Sequence, residues 1–265
     1  MHYPMTPQAR RRASGRVLRA PGRALRVPSE TRPAPTCGLC EQDYHGLVAC
    51  ALGWACWKTY VGRPEEDGAR QAAMTILGNG LYEAKLDEAA LSVGEAELSM
   101  YRRVGAREAD LLVAQGNLAC AYHVLGRHEE ALDLRQEVYA GSLNMLGEEN
   151  ENTLVEANNY AYLLTKLRRF EEARSLLRKV IPVAQRVLGE SNEITIRMRH
   201  KHAEALCQDN GATLDDLREA VTLLEDLEPT ARRVLGGAHP LIKGFEDELQ
   251  DARAALRARE TPSPS

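Results

Sequence analysis

Two stretches of the sequence, 42 residues apart, decide the fold. Residues 117–132 read NLACAYHVLGRHEEAL, and residues 159–174 read NYAYLLTKLRRFEEAR. The same spacing brings Leu146-Gly147-Glu148 back as Leu188-Gly189-Glu190. Because repetition at a fixed period of about 20–50 residues is typical of stacked-repeat proteins, the chain is interpreted as an array of similar units.

Weaker copies flank this pair and extend the array to about four units. Glu88 lies 41 residues before Glu129, and Leu235-Gly236 lies 47 residues after Leu188-Gly189. We expect the units to start near these residues: Glu66, Asp110, Asn152 and Ile194.

Each unit is predicted to contain two helices. The three- and four-residue spacing of one apolar helical face is followed by Leu112, Leu118, Ala119, Tyr122 and Leu125. Gly126 then separates this helix from the next one. No stretch alternates between polar and apolar residues as a half-buried strand does, so the predicted fold class is all-α.

The helix ends carry recognisable signals. Gly147 is expected to end a second helix in the left-handed conformation, and Asn152-Thr153 or Asn192 with Glu193 could cap the next first helix. Pro182 falls inside a predicted helix, where it should kink or shorten that helix.

A single pair of helices exposes apolar residues on both sides and can bury them only against neighbouring pairs. The final helix, roughly His239 to Arg259, is apolar on one face and charged on the other, which predicts a terminal cap. Small residues are expected where helices cross closely: Gly78, Ala119, Ala131, Ala161, Ala173, Ala203 and Ala220.

The pattern of residues 117–132 resembles a tetratricopeptide repeat, and the 42-residue period resembles that of kinesin light chains. The resemblance covers roughly residues 66–240 and is weaker in the last unit, where Lys201-His202 replaces Asn159-Tyr160. It implies a right-handed α-solenoid of helix pairs with a C-terminal capping helix. It also implies a concave groove that binds peptides or protein segments, as in a cytoplasmic, non-enzymatic adaptor.

In this family the first helices line the groove, and their polar positions are the candidate binding site. The resemblance implies that Asn117 and Asn159 hydrogen-bond a bound peptide and that Arg197 and Lys201 attract acidic groups, with Asn79 as a further candidate. We therefore hypothesise that the groove binds an extended or acidic peptide. The alternative is that these are ordinary solvated positions. Valines 113 and 155 occupy the place of Arg197 in earlier units, which argues against specific capture of a C-terminal carboxylate.

Charge divides the chain. Residues 1–36 carry eight arginines and one acidic residue, for a net charge of +7, which leaves −11 on the remaining chain. The acidic body disfavours nucleic-acid binding. The basic segment is interpreted as a disordered tail, with an organelle transit peptide or a nucleic-acid-binding arm as alternatives.

The predicted organisation is a tail (1–36), a lead-in helix (37–62), repeats (63–237), a cap (238–259) and a second tail (260–265).

A cluster of cysteines precedes the repeats. Cys37 and Cys40 have the spacing of a zinc-binding pair, and His45 and Cys50 follow as further candidate ligands. However, residues 47–57 read as an apolar helix in which cysteines would pack as small hydrophobic residues. We favour helix packing, and we expect Trp54 and Trp57 to plug the open end of the stack.

No sequence motif indicates catalysis or a cofactor. The phosphate-binding loop, the hydrolase nucleophile elbow and the HExxH zinc motif are all missing. His200 and His202 are two residues apart on a helix and therefore point to different sides, which disfavours joint metal binding. His202 and Cys207 lack a third group that would orient them for nucleophilic catalysis.

The leading interpretation is an interaction scaffold that is not an enzyme. The alternatives are a regulatory module of a larger assembly and a zinc finger presented on repeats. The longest apolar run, residues 47–57, is far shorter than the roughly 20 residues that span a bilayer, so an integral membrane protein is not expected. The oligomeric state is left open by the sequence.

Overall fold

A computed structural model describes residues 45–260, which form ten α-helices and no strand. Predictions that concern residues 1–36, Cys37 and Cys40 lie outside the described residues. The helices are α1 (Gly46–Tyr60), α2 (Gly68–Glu83), α3 (Asp87–Val104), α4 (Glu108–Val124), α5 (His128–Leu146), α6 (Glu151–Lys166), α7 (Phe170–Leu188), α8 (Glu193–Cys207), α9 (Leu214–Leu235) and α10 (Pro240–Glu260). Within this part of the chain, no helix is long and apolar enough to cross a bilayer.

Every helix packs on the one that follows it in the chain, as expected for a solenoid. The additional contacts join helices two apart, namely α2 with α4, α6 with α8 and α8 with α10. The first helices of successive pairs therefore lie on a common side of the stack. The all-α repeat solenoid predicted from the sequence is confirmed.

Small residues do allow the helices to approach closely, although not everywhere that was predicted. The six alanines predicted at helix crossings are all fully buried. A Cβ atom on Gly78, however, would meet only Val93 Cγ1 at an ordinary 3.5 Å. The tight crossing lies instead between α1 and α2, where a Cβ on Gly53 would be 2.8 Å from Leu77 Cα and one on Gly80 would be 2.6 Å from the Ala49 carbonyl oxygen.

Gly147, which ends α5, does not adopt the predicted left-handed helical conformation, and the glycines that end α7 and α9 have the same conformation as Gly147. Gly147, Gly189 and Gly236 have φ of 83°, 87° and 88° with ψ of 168°, 160° and 145°. This combination is extended in ψ and is almost exclusive to glycine. At each of these glycines the chain leaves the helix in an extended direction, without the left-handed helical residue of a common C-cap.

The capping prediction is correct for α8 and wrong for α6. The side chain of Asn192 accepts a hydrogen bond from the Ile194 amide. In α6 the cap is Asn150, which accepts from the Asn152 amide. Thr153 lies in the first turn of this helix, and its hydroxyl donates to the Ser142 carbonyl oxygen of α5.

Pro182 does not shorten its helix, because α7 continues through it to Leu188. Val180 and Ala184, on either side, are buried in the core, whereas Pro182 is exposed. The carbonyl group deprived of its partner therefore lies on the exposed side of the helix, where water can satisfy it. Packing of the buried face holds the helix together across the proline.

The two tryptophans of α1 have different environments. Trp57 is partly buried and packs against the apolar clusters of α2 and α3, as predicted for a plug. Trp54 is exposed, so the same expectation is wrong for it. The two residues are separated by about 60° around the helix axis, so Trp57 reaches the buried side of α1 whereas Trp54 lies beyond its edge.

Candidate functional site

Side chains from three successive first helices meet on the common side of the stack. His123 of α4 lies with its Nε2 atom 3.3 Å from the Tyr162 hydroxyl of α6. Lys201 of α8 lies with its Nζ atom 5.5 Å from the centre of the same tyrosine ring. We use the name first-helix face for His123, Tyr162 and Lys201 together with the candidate residues Asn117 and Arg197 of the same helices.

Asn159 belongs to a buried polar cluster beneath this face. Its Nδ2 atom donates to Glu156 Oε2 at 3.4 Å, and Arg135 of α5 donates to the same oxygen at 2.6 Å. All three residues are buried. The amide nitrogen of Asn159 therefore helps to satisfy a buried carboxylate, and the Arg135–Glu156 ion pair ties α6 to α5.

The remaining candidate asparagines occupy different positions. Asn117 is half-buried on α4, and Asn79 is exposed on α2. Lys85, Gly126 and Arg168 all have positive φ at equivalent turns, 41 and then 42 residues apart. This register aligns Asn79 with residues 120 and 162, not with Asn117.

Arg197 and Lys201 each have an intramolecular carboxylate partner, but the two pairs differ in burial. Arg197 Nη2 lies 2.7 Å from Glu193 Oε1, and the two side chains are 20% and 45% exposed. Lys201 pairs with Glu204, and these side chains are 17% and 9% exposed. Because exposed ion pairs contribute little, Glu193 can move into water and release Arg197. Glu204 is held in place.

His123 and Tyr162 are uncharged at neutral pH. Burial lowers the pKa of His123, and electrostatic interactions with His128, Lys166 and Arg135 lower it further. Burial also raises the pKa of Tyr162, although Lys201 opposes this shift. His123 and Tyr162 can therefore form hydrogen bonds with a ligand as neutral groups.

Sequence reasoning missed His123 and Tyr162. A signal for Tyr162 was present, because it lies three residues after Asn159 and hence on a neighbouring part of the same helix face. His123 carried no such signal, since its contact depends on how α4 and α6 sit side by side.

The candidate metal ligands are not assembled within residues 45–260. His45 lies at the start of α1, with Nδ1 3.6 Å from Glu83 Oε2, and Cys50 is buried against Leu77 and Leu81. In this range no three His, Cys, Asp or Glu side chains are placed to hold a metal ion. The cysteines there carry free thiols: Cys50, Cys56, Cys120 and Cys207.

The histidines of α8 face different neighbours, as their spacing predicts. His200 packs on Phe245 of α10, with Nε2 2.7 Å from Glu248 Oε2. The pKa of His202 is lowered to about 4 by burial and by Arg178 and Arg174. Burial, with a contribution from Glu248, raises the pKa of Cys207 to about 12, so this thiol is protonated at neutral pH.

Comparison with known proteins agrees with this architecture. Residues 157–193, which span most of α6 and all of α7, match the model of the tetratricopeptide repeat family. The solved structure of a Podosopora anserina protein described as a putative kinesin light chain with nearly identical TPR-like repeats superposes with a TM-score of 0.58. The alignment has 23% identity and covers 70% of this chain and 85% of that one.

The chain therefore has the fold of a tetratricopeptide-repeat solenoid and is similar in structure to kinesin light chain-like repeat proteins. A single-residue variant of the Podosopora anserina protein gives the same TM-score and identity. BtubC (BKLC) from P. vanneervenii superposes with a TM-score of 0.51 at 18% identity, over 82% of this chain and 92% of that one. A comparison with curated protein sequences finds no match. Tetratricopeptide repeats generally act as non-catalytic scaffolds that bind other proteins.

Proposed function

We propose that the protein is a cytoplasmic, non-enzymatic adaptor whose first-helix face binds an extended segment of a partner protein. The observation that carries this proposal is the exchangeable Arg197–Glu193 pair, one helical turn from Lys201, which itself lies beside Tyr162. An arginine whose own partner can leave is suited to a carboxylate of the ligand, because the guanidinium group forms two parallel hydrogen bonds with it.

Binding would exchange one carboxylate for another at Arg197. The Glu193 side chain would move into solvent, and an acidic side chain of the bound segment would replace it. Asn117 and Tyr162 would contact the neighbouring backbone of that segment. Lys201 would remain paired with Glu204 and contribute mainly through its place beside Tyr162.

Two substitutions on the same helix test this exchange in opposite directions. Arg197→Glu should weaken binding of an acidic segment at least tenfold, whereas Glu193→Gln should strengthen it several-fold because the competing carboxylate is gone. Arg199→Glu provides a matched control on α8, since Arg199 is similarly half-buried and pairs with Glu190. It should bind as the unmodified protein does if Arg197 is the specific contact.

The measurement combines capture with a defined probe. Partners retained by the full chain and by the three variants are compared by mass spectrometry, and the anisotropy of a fluorescein-labelled peptide of alternating Glu and Ala measures affinity, with a Lys–Ala peptide as the negative control. Equal binding by the full chain and the Arg197→Glu variant in both assays would refute the site. Capture that is lost in the variant, without binding of the Glu–Ala peptide, would refute only the acidic character of the ligand.

A further inference from the structure

The exposed apolar residues of the described chain are concentrated at one end of the solenoid. Five of the ten large exposed hydrophobic residues lie between residues 47 and 61, and the other five are spread over residues 86–187. Leu47 and Val48 are 76% and 54% exposed. An apolar patch of this kind on a folded protein marks an interaction surface.

This outer face of α1 combines alternating residue sizes with almost no charge. Its exposed residues include Val48, Ala51, Leu52 and Ala55, which repeat at helical spacing and so form one stripe. Lys58 is the only charged residue of α1. At the opposite end of the helix, the exposed carboxylate of Glu83 lies beside His45.

We propose that this stripe packs against the same stripe of a second copy of the chain, with the two α1 helices antiparallel. A two-fold axis between Ala51 and Leu52 would place each Leu52 opposite the Ala51 of the other copy. It would likewise place Val48 opposite Ala55. Large side chains then fill the space left by small ones, which is what close helix packing requires.

The same axis also pairs the charges. It brings Lys58 of each copy opposite residue 45 of the other, and therefore next to Glu83. An isologous dimer forms every contact twice, so two Lys58–Glu83 pairs would flank an apolar centre. A parallel arrangement would instead bring the two Lys58 side chains together.

The area available suits a weak, reversible dimer. The exposed parts of Leu47, Val48, Leu52 and Trp54 amount to roughly 400 Å² per copy. With the alanines and the flanking Lys58 and Glu83, the two copies together would bury about 1,200 Å², the lower end of the range for specific interfaces. We expect a dissociation constant of about 1–100 μM, since area near this limit leaves little surplus over the cost of association.

Sedimentation velocity of the full chain over about 1–200 μM tests whether the dimer forms at the expected affinity. Leu52→Glu places like charges next to each other at the axis and should leave the protein monomeric throughout this range. Leu143→Glu is the matched control, because Leu143 is 36% exposed on α5 and Leu52 is 43% exposed. This control should dimerise as the unmodified protein does.

A charge exchange tests the antiparallel geometry. Lys58→Glu and Glu83→Lys should each weaken dimerisation about tenfold, and the double variant should restore it. These side chains are exposed, so the series remains decisive if Leu52→Glu fails to fold by circular dichroism. A full chain that is monomeric at every concentration would overturn the proposal, and another occupant, such as residues 1–44 or a different protein, would then cover the face. Dimerisation that survives Leu52→Glu, or that the double variant does not restore, would overturn it as well.

Discussion

The two ends of the solenoid are closed in different ways. At the C-terminal end, α10 presents a charged outer side, and its ion pairs reach back to α9: Arg232–Glu246, Arg253–Glu225 and Arg218–Glu260. At the N-terminal end, α1 has a single charged residue and an exposed apolar side. A terminal helix needs a polar outer face to end a stack in water. Helix α10 therefore covers the C-terminal end of the stack with a polar surface, whereas α1 leaves apolar surface at the N-terminal end for another contact.

The inner contacts of the two terminal helices differ as much as their outer faces. Helix α10 is held by large side chains, with Phe245 and Ile242 almost fully buried. Helix α1 is held by a close approach of backbones at Gly53 and Gly80, which leaves no room for a side chain. The C-terminal end should therefore be sensitive to removal of atoms, and the N-terminal end to their addition.

Removal of the Phe245 side chain should have the largest effect. Phe245→Ala should lower the free energy of unfolding by about 3–5 kcal/mol, because it leaves a cavity among α8, α9 and α10. Amide hydrogen exchange should increase from α8 to α10 and change little in α1–α4, since coupling in a solenoid runs mainly between neighbours. Leu256→Ala, at a partly buried site near the end of α10, should cost less. A uniform increase along the chain would contradict this account.

Addition of one methyl group should disrupt the opposite end. Gly80→Ala should cost about 1–3 kcal/mol, because its Cβ would overlap the backbone at Ala49 and Cys50. Hydrogen exchange in α1 and the fluorescence of Trp57 should report the displaced helix. Gly78→Ala, two residues away and free of close contacts, should be neutral or slightly stabilising because alanine favours helix. Equal effects of the two substitutions would show that the crossing is not tight.

Acid should loosen the C-terminal end before the N-terminal end. His202 has a pKa of about 4 in the folded chain, whereas an unfolded histidine accepts a proton near 6.5. Its neutral form therefore supports folding fully above about pH 6.5, and this contribution is lost as the pH falls towards 4, by an amount on the order of 2 kcal/mol. Urea unfolding at pH 7 and pH 4.5 measures the loss, and His202→Gln should remove this part of it. An unchanged pH dependence in the variant would exclude His202 as the cause.

The smallest expected effect concerns the charged outer side of α10. Arg253 and Glu225 are both about half-exposed, so Arg253→Ala should change the free energy of unfolding by only about 0.5 kcal/mol. The difference should diminish further in about 0.5 M NaCl, because salt screens exposed charges. Thermal unfolding of both proteins at low and high salt measures this. A loss of several kcal/mol would mean that the ion pairs, and not Phe245, hold the terminal helix.

Much of the fold could be read from the repeat itself. Equivalent residues 42 positions apart recur in equivalent helices, and Ala119 and Ala161 are both fully buried at helix crossings. The conformation at Gly147 and the cap at Asn150 were mispredicted because each depends on the exact path of one turn. The sequence also did not predict that α7 continues through Pro182, because burial of the flanking helix face outweighs the local cost of the proline.

For the candidate binding residues, too, some properties follow from the sequence and others only from the tertiary structure. The sequence determined the order of the helices, their apolar faces and the presence of basic groups on α8, because these follow from residue type and spacing along one chain. Only the tertiary structure decided that Asn159 serves the buried Glu156, that His123 meets Tyr162, and that Glu193 is freer to move than Glu204. These properties depend on burial and on distances between separate helices, and one helix's own periodicity carries no information about how deeply its neighbour covers it.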